Sequence, residues 1–209
     1  KGWKAICNDT YSYFWLKDCD REISQFIERG VFEWADLPPG VTPLSGHWVQ
    51  KVKRHVDGSL DKFKVRFVVH GHRSKPGLHY IDTFAPTADT TTARVLLSLA
   101  TIHDWEVEQM DVSAAFLYGP LEEEIYMIPP DGYGDGTRKV WRLKKALYGL
   151  KQAPRQWNST LSTELVKLNY VQSPLDPALF IKREGRKILY LLDFVDDMLM
   201  VSPLSLIHI

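Results

Sequence analysis

Apolar and polar positions in this chain recur with two different periods, and the changes of period mark its elements. Residues 18–29, DCDREISQFIER, repeat at helical spacing and stop at Gly30, a residue suited to a helix end. Two alternating stretches follow, HWVQKVKRHV at 47–56 and LDKFKVRFVVH at 60–70. The DGS between them predicts a hairpin that turns at Asp57 and Gly58. In DTTTARVLLSLATIHDW, Ala93, Leu96, Leu97 and Ala100 fall at i, i+3, i+4 and i+7, which predicts a helix with one buried face behind a Thr/Asp cap. A strand is expected over 106–112, running into the small residues Ser113, Ala114 and Ala115. EEIYMIPP and KVWRLKK predict short strands on either side of the loop PDGYGDGTR. A second amphipathic helix, PRQWNSTLSTELVKL, sets Trp157, Leu161, Leu165 and Leu168 on one face. The final segment, ALFIKREGRKILYLLDFVDDMLMV, reads as three strands, the second turn falling at Val195, Asp196 and Asp197. Without repeats or low-complexity tracts, this mixed order predicts an α+β fold, a sheet backed by helices on one face.

Composition narrows the class only a little. Hydrophobic residues at 44% and charged residues at 25% are ordinary for a globular chain of 209 residues. No apolar run is long enough to span a membrane, and no secretory signal pattern opens the sequence. Cys7 and Cys19 have neither CxxC nor metal-type spacing, so reduced thiols in an intracellular setting are expected. The net charge is zero but unevenly spread. Lys51, Lys53, Arg54, Lys62, Lys64, Arg66, Arg73 and Lys75 face only Asp57 and Asp61 in the first basic block. Seven further basic residues lie between Arg138 and Arg155, with no acid among them. An acidic section containing Asp111 and Glu122, Glu123 and Glu124 separates the two. That arrangement suits a phosphate-rich partner held near metal-binding carboxylates; solvated faces of alternating sign would look the same.

The doubled aspartate in LLDFVDDMLMV is the sharper signal. Adjacent carboxylates repel, and burying either is costly. At a hairpin tip, both can leave the core. Should the strand ending at Asp111 neighbour that hairpin, Asp111 and Asp196 face one cleft with Asp197 close by. Such a cluster is a ligand set for hard divalent cations such as magnesium. An Asp pair in a surface turn is by itself unremarkable, because Asp is common there.

Six blocks then occur in one order: WVQKVK, KVRFVVHG, DTFAPTADTTTARVLLSLA, QMDVSAAFLYGPLEEEIYMIPPDGY, RLKKALYGLKQAPRQW and FVDDM. Together they resemble the reverse transcriptase of copia-type LTR retrotransposon Pol polyproteins. The resemblance implies a right-hand polymerase of fingers and an antiparallel palm sheet backed by helices. It implies an RNA-directed DNA polymerase, a nucleotidyltransferase that adds dNTPs to a primer 3′-hydroxyl on RNA or DNA. Asp111, Asp196 and Asp197 match the catalytic aspartates and would hold two Mg²⁺ ions, or Mn²⁺ in their place. Phe116 matches the bulky position under the incoming sugar. Lys53 and Arg66 resemble the residues that grip the triphosphate, with Lys151 and Gln152 also near the nucleotide. Lys51, Lys62, Lys64 and Arg155 would meet the nucleic acid. Strand alternation is expected to divide the hairpin lysines between two faces. Gly149 would permit close backbone approach. For Gln152 and Arg155, a helix-capping, structural role is equally open. The partners implied are a primer–template and dNTP, with no membrane, and the setting implied is a cytoplasmic particle.

Three features depart from the family pattern. Phe194 stands where Tyr is frequent, keeping the ring. Asp193 stands where an apolar residue is frequent; it either raises neighbouring carboxylate pKa values or points to solvent. The ending PLSLIHI does not resemble the family's continuation. The expected organisation is a disordered leader over 1–14, fingers and palm over 15–202 truncated before the thumb, and a non-family tail over 203–209, with polymerase activity weak or absent. A non-catalytic nucleic-acid-binding remnant and a decayed transposon-derived protein are the alternatives. His70 and His72 lack a matched second ligand pair, and no Walker loop, dinucleotide fingerprint or Ser/His/Asp signature occurs.

Overall fold

Residues 2–203 are described by the computed structural model. The first elements are helices α1 (Trp3–Cys7) and α2 (Ser12–Glu28). α1 and the start of α2 fall within positions 1–14, where a disordered leader was expected, and Ile6 is fully buried there. Contacts divide the chain into two units, Lys1–Thr83 with Phe116–Ala153, and Phe84–Ala115 with Pro154–Ile209.

In the first unit, β1 (Phe32–Ala35) forms an antiparallel sheet with two later strands, β5 (Pro120–Met127) and β6 (Val140–Lys145), in the order β1-β6-β5. The centre of this unit is aromatic. Trp141 is fully buried and stacks on Phe32 at 3.9 Å between centroids, with Phe26, Trp34 and Phe67 at its edges. The predicted hairpin is present as β2 (Gly46–Arg54) and β3 (Leu60–Val69). At its turn, the Asp57 carboxylate accepts from the Ser59 N–H at 2.9 Å, which closes the DGS loop. α2 lies along β3, where Asp18 Oδ2 accepts from the Val65 N–H and Glu22 Oε1 from the Phe67 N–H.

The second unit is a five-stranded antiparallel sheet with helices α3 (Thr90–His103) and α4 (Ala153–Lys167). Its strands are β4 (Glu106–Asp111), β7 (Val171–Gln172), β8 (Leu179–Glu184), β9 (Lys187–Phe194) and β10 (Asp197–Ser202), ordered β4-β10-β9-β8-β7. Asp89 caps α3 by accepting from the Thr91 N–H at 2.7 Å. Leu96 and Ala100 of that helix pack with Ala178, Leu192 and Val201. Asp176 ties the start of α3 to the turn before β8, accepting from the Asp89 N–H, the Thr92 hydroxyl and the Ala178 N–H. The antiparallel sheet with a helix against it is thus as expected.

Several boundaries differ from the sequence reading. α2 starts at Ser12, six residues before the predicted position 18. Leu97 and Leu168, predicted on buried faces, are both exposed. α4 ends at Lys167, and Asn169 follows in the left-handed region, which turns Leu168 away. The two short strands β1 and β7 carry no periodic signal. Of the expected tail over 203–209, positions 204–209 lie outside the described residues. Among the described residues no helix is long and apolar enough to cross a membrane. Cys7 and Cys19 are free thiols, as expected.

Candidate active site

The sheet of the second unit brings distant acids together by register. β4 ends at Asp111 and β10 begins at Asp197, and these two residues are direct cross-strand partners. Directly opposed residues of antiparallel strands share a face. Asp111 and Asp197 are both exposed there, and Gln109 Nε2 donates to Asp197 Oδ1 at 3.3 Å. Asp196 occupies the turn between β9 and β10, and its carbonyl accepts from the Val112 N–H at 2.7 Å. The register therefore pairs Asp111 with Asp197, and the turn proper consists of residues 195 and 196, with Asp197 already in the strand.

Asp193 does not point to solvent, one of the two expectations for it. It lies on the opposite, buried face, in register with Met198. Its Oδ1 accepts from the Val195 N–H at 3.0 Å. Burial pushes its carboxyl up to about 6; the Val195 amide and the Asn158 side chain act against that shift, and the charge of Asp196 adds to it. Val195 has φ +73°, a left-handed conformation that a β-branched residue rarely takes. Its carbonyl accepts from Trp157 Nε1 at 2.5 Å. Sequence reasoning saw Trp157 only as part of an apolar face, since periodicity does not show which indole N–H finds a partner.

Donor chemistry at this tip suits a hard divalent cation, since the exposed groups are carboxylates. Among the described residues, however, no group of three or more His, Cys, Asp or Glu side chains is placed to hold a metal ion. Magnesium is commonly bound by one or two carboxylates together with substrate phosphates. Asp111 and Asp197 are two carboxylates opposite one another in register.

The candidate nucleotide and nucleic-acid residues of the first unit also cluster by register. Lys51 opposes Lys64, Lys53 opposes Lys62, and Val49 opposes Arg66. All five cations consequently share one face of the hairpin, which corrects the expected division between two. The opposite face carries Trp48, Phe63, Val65 and Phe67, the last three turned toward the side on which α2 buries its aromatic residues. Arg66 lies over the Tyr148 ring at 4.1 Å, and Phe116 meets the same ring edge-on at 4.9 Å. Tyr148 is thus a shared platform that the sequence did not single out.

Lys151 is exposed and its Nζ reaches the Tyr80 hydroxyl at 3.1 Å. Gln152 is fully buried; its Nε2 donates to the His79 carbonyl at 2.6 Å, while among the described residues its Oε1 has no partner. That contact sets Gln152 beneath the 75–80 loop. Arg155 is exposed in the first turn of α4. His70 and His72 gain a third imidazole unseen in sequence, as His47 stacks on His70 at 4.8 Å. Burial, followed by the neighbouring cationic and imidazole groups, lowers the His70 pKa.

Comparison with known proteins agrees with this architecture. The family model described as reverse transcriptase (RNA-dependent DNA polymerase) matches residues 29–207. The retrovirus-related Pol polyprotein from transposon RE2 of Arabidopsis thaliana is 44% identical over 191 residues, 90% of this chain and 13% of that protein. The corresponding polyprotein from transposon RE1 of the same plant is 39% identical over 90% of this chain and 13% of its own length. That from transposon TNT 1-94 of Nicotiana tabacum is 41% identical over 190 residues, again 90% of this chain. The chain spans only 13–14% of the length of these relatives. By this match the chain belongs to the reverse transcriptase family, in the form found within copia-type retrotransposon Pol polyproteins.

Proposed function

We propose that this chain supplies the fingers and palm of an RNA-directed DNA polymerase, acting on a primer–template and dNTP. The observation that carries the reading is the register of Asp111 against Asp197, with Asp196 on the adjoining turn. On this reading the second unit is the palm and the three aspartates are its reactive acids, with Asp111 and Asp197 holding Mg²⁺ together with substrate phosphates. Bound there, the metal would align the primer 3′-hydroxyl with the triphosphate and neutralise the departing pyrophosphate.

The chain's own groups do the rest. The single basic face of Lys51, Lys53, Lys62, Lys64 and Arg66 supports binding of phosphates, with Arg66 able to present a bidentate fork. Tyr148 fixes that guanidinium by a cation–π contact, which limits the side-chain entropy lost on binding. Phe116, set against the same ring, would stand under the sugar and exclude a ribose 2′-hydroxyl. Lys151 would add a further charge toward the nucleic acid.

Primer extension with labelled dNTP on a primed homopolymer tests this directly. Wild-type chain is expected to give weak incorporation that depends on Mg²⁺ or Mn²⁺, and Asp196→Asn with Asp197→Asn to abolish it. The shared basic face also fits a second reading, a nucleic-acid binder without catalysis. A salt-dependent gel shift with no metal-dependent incorporation by the wild type would select that reading.

A further inference from the structure

The turn that carries Asp196 is held in a shape that its sequence disfavours. A two-residue hairpin loop with a positive φ at its first position ordinarily has Gly there. Here Val195 takes φ +73°, and its branched side chain makes that conformation costly. Three hydrogen bonds surround the strained residue. Asp193 Oδ1 accepts the Val195 N–H at 3.0 Å, Trp157 Nε1 donates to the Val195 carbonyl at 2.5 Å, and the next carbonyl, that of Asp196, accepts from Val112 at 2.7 Å. Asp193 is itself anchored, its N–H donating to the Ala178 carbonyl at 2.9 Å. Only 2% of Asp193 is exposed, so a carboxylate here is retained against its desolvation cost. An aliphatic side chain would fill the same volume without that cost, but it would leave the Val195 N–H unpartnered.

We propose that Asp193 is a positioning residue for the catalytic hairpin: from the buried face it clamps Val195 in the left-handed conformation and so sets where Asp196 and Asp197 stand relative to Asp111. This rests on the reading of those three aspartates as the reactive acids. The side chain acts two residues ahead on its own strand, as Asp does in Asx turns, and touches no substrate. Glycine at 195 would adopt the turn without strain and make the clamp dispensable.

The test compares wild type, Asp193→Asn, Asp193→Leu, and Asp193→Leu combined with Val195→Gly. Three quantities are read: hydrogen exchange of the residue 195 amide by NMR, Mn²⁺ affinity by EPR, and kcat and KM for dTTP on primed poly(rA). Asp193→Leu is expected to speed exchange at 195 roughly tenfold or more, weaken Mn²⁺ binding by about the same factor, and lower kcat more than KM. Asp193→Asn keeps an acceptor and should hold exchange and Mn²⁺ affinity within about threefold of wild type. Adding Val195→Gly to Asp193→Leu should restore Mn²⁺ binding, which a merely space-filling Asp193 would not permit. A folded Asp193→Leu protein with unchanged exchange and Mn²⁺ affinity overturns the proposal, as does failure of glycine to rescue. Should the leucine variant lose its cooperative melt, Asp193→Ala carries the same comparison. A wild type that neither binds Mn²⁺ nor extends primer defeats the functional reading alone, and the clamp is then judged by exchange at 195.

Discussion

Gly149 shows what one hydrogen atom in place of a methyl group is worth where two backbones meet. It has φ +94°, and a Cβ there would stand 2.2 Å from the Val69 carbonyl oxygen and 2.9 Å from its nitrogen. Neither atom can give way, because the Val69 N–H donates to the Tyr148 carbonyl at 2.8 Å. Gly71 lies on the other side of this contact, its missing Cβ facing the Gly149 oxygen. The glycine the sequence marked for close approach thus approaches the end of β3, and by doing so seats Tyr148 beneath Arg66. Gly149→Ala is expected to cost roughly 2–4 kcal/mol in urea unfolding, from backbone strain and overlap together. Gly58 separates the two causes: it has φ +85° but nothing within 4 Å of its Cβ position. Gly58→Ala should therefore lose only about 1 kcal/mol, the strain alone. Equal losses at the two sites would contradict the packing argument.

The edge of β3 raises the corresponding question for an element, since an unpaired edge is a template for association. α2 closes it with side chains, Asp18 accepting from Val65 at 2.6 Å and Glu22 from Phe67 at 3.3 Å. Glu22 is buried, which pushes its carboxyl up to about 7, against the favourable Phe67 N–H and the charge of Arg66. A carboxyl raised from 4.5 to about 7 binds its proton more tightly in the folded state. Stability from this group is therefore greatest below the unfolded value, falls as pH rises between the two, and stays low above about 7. Glu22→Gln keeps an acceptor and removes the titration. It should flatten that fall and raise stability at pH 8 by about 1–3 kcal/mol, with little change at pH 4.5, as read from urea midpoints. Element type was legible where a period ran long enough: β2, β3, α3 and the 195–196 turn all follow from local pattern. Register was not. The parity that gathers Lys51, Lys53, Lys62, Lys64 and Arg66 on one face depends on how residues pair across the hairpin, which alternation within each strand leaves undetermined. β1 and β7 are too short to show a period, and their existence depends on partners elsewhere in the chain. The aspartates stood out as residues, but the face on which each lies, that of Asp193 above all, needed the sheet.

At the scale of the molecule, neither unit is a continuous piece of chain. Residues 84–115 are inserted into the first unit, and 116–153 separate the two parts of the second. The consequence is clearest for β1, which pairs with β6 at the sheet's edge, with Glu33 opposite Arg142. Ion pairs from Glu33 to Arg142 and Lys144 are exposed and contribute little. What holds β1 is the stacking of half-buried Phe32 on Trp141, together with the Lys144 N–H donating to the Val31 carbonyl at 2.8 Å just before the strand. A fragment of residues 1–83 contains α1, α2 and the hairpin but none of these partners. It would keep β2 and β3 paired while exposing Phe26, Phe32 and Phe67, which the intact unit gathers around one tryptophan. Pairings this far apart in sequence also form slowly, since loop closure precedes any gain from contact. The fragment is expected to bind ANS, show weak near-ultraviolet circular dichroism and melt without cooperativity. Adding residues 116–153 in trans should restore part of the near-ultraviolet signal, because that segment supplies Trp141 and both missing strands. A sharp, ANS-free melt of residues 1–83 alone would show that the hairpin and α2 form a self-sufficient core, and that the long-range pairing of β1 adds to a structure already made.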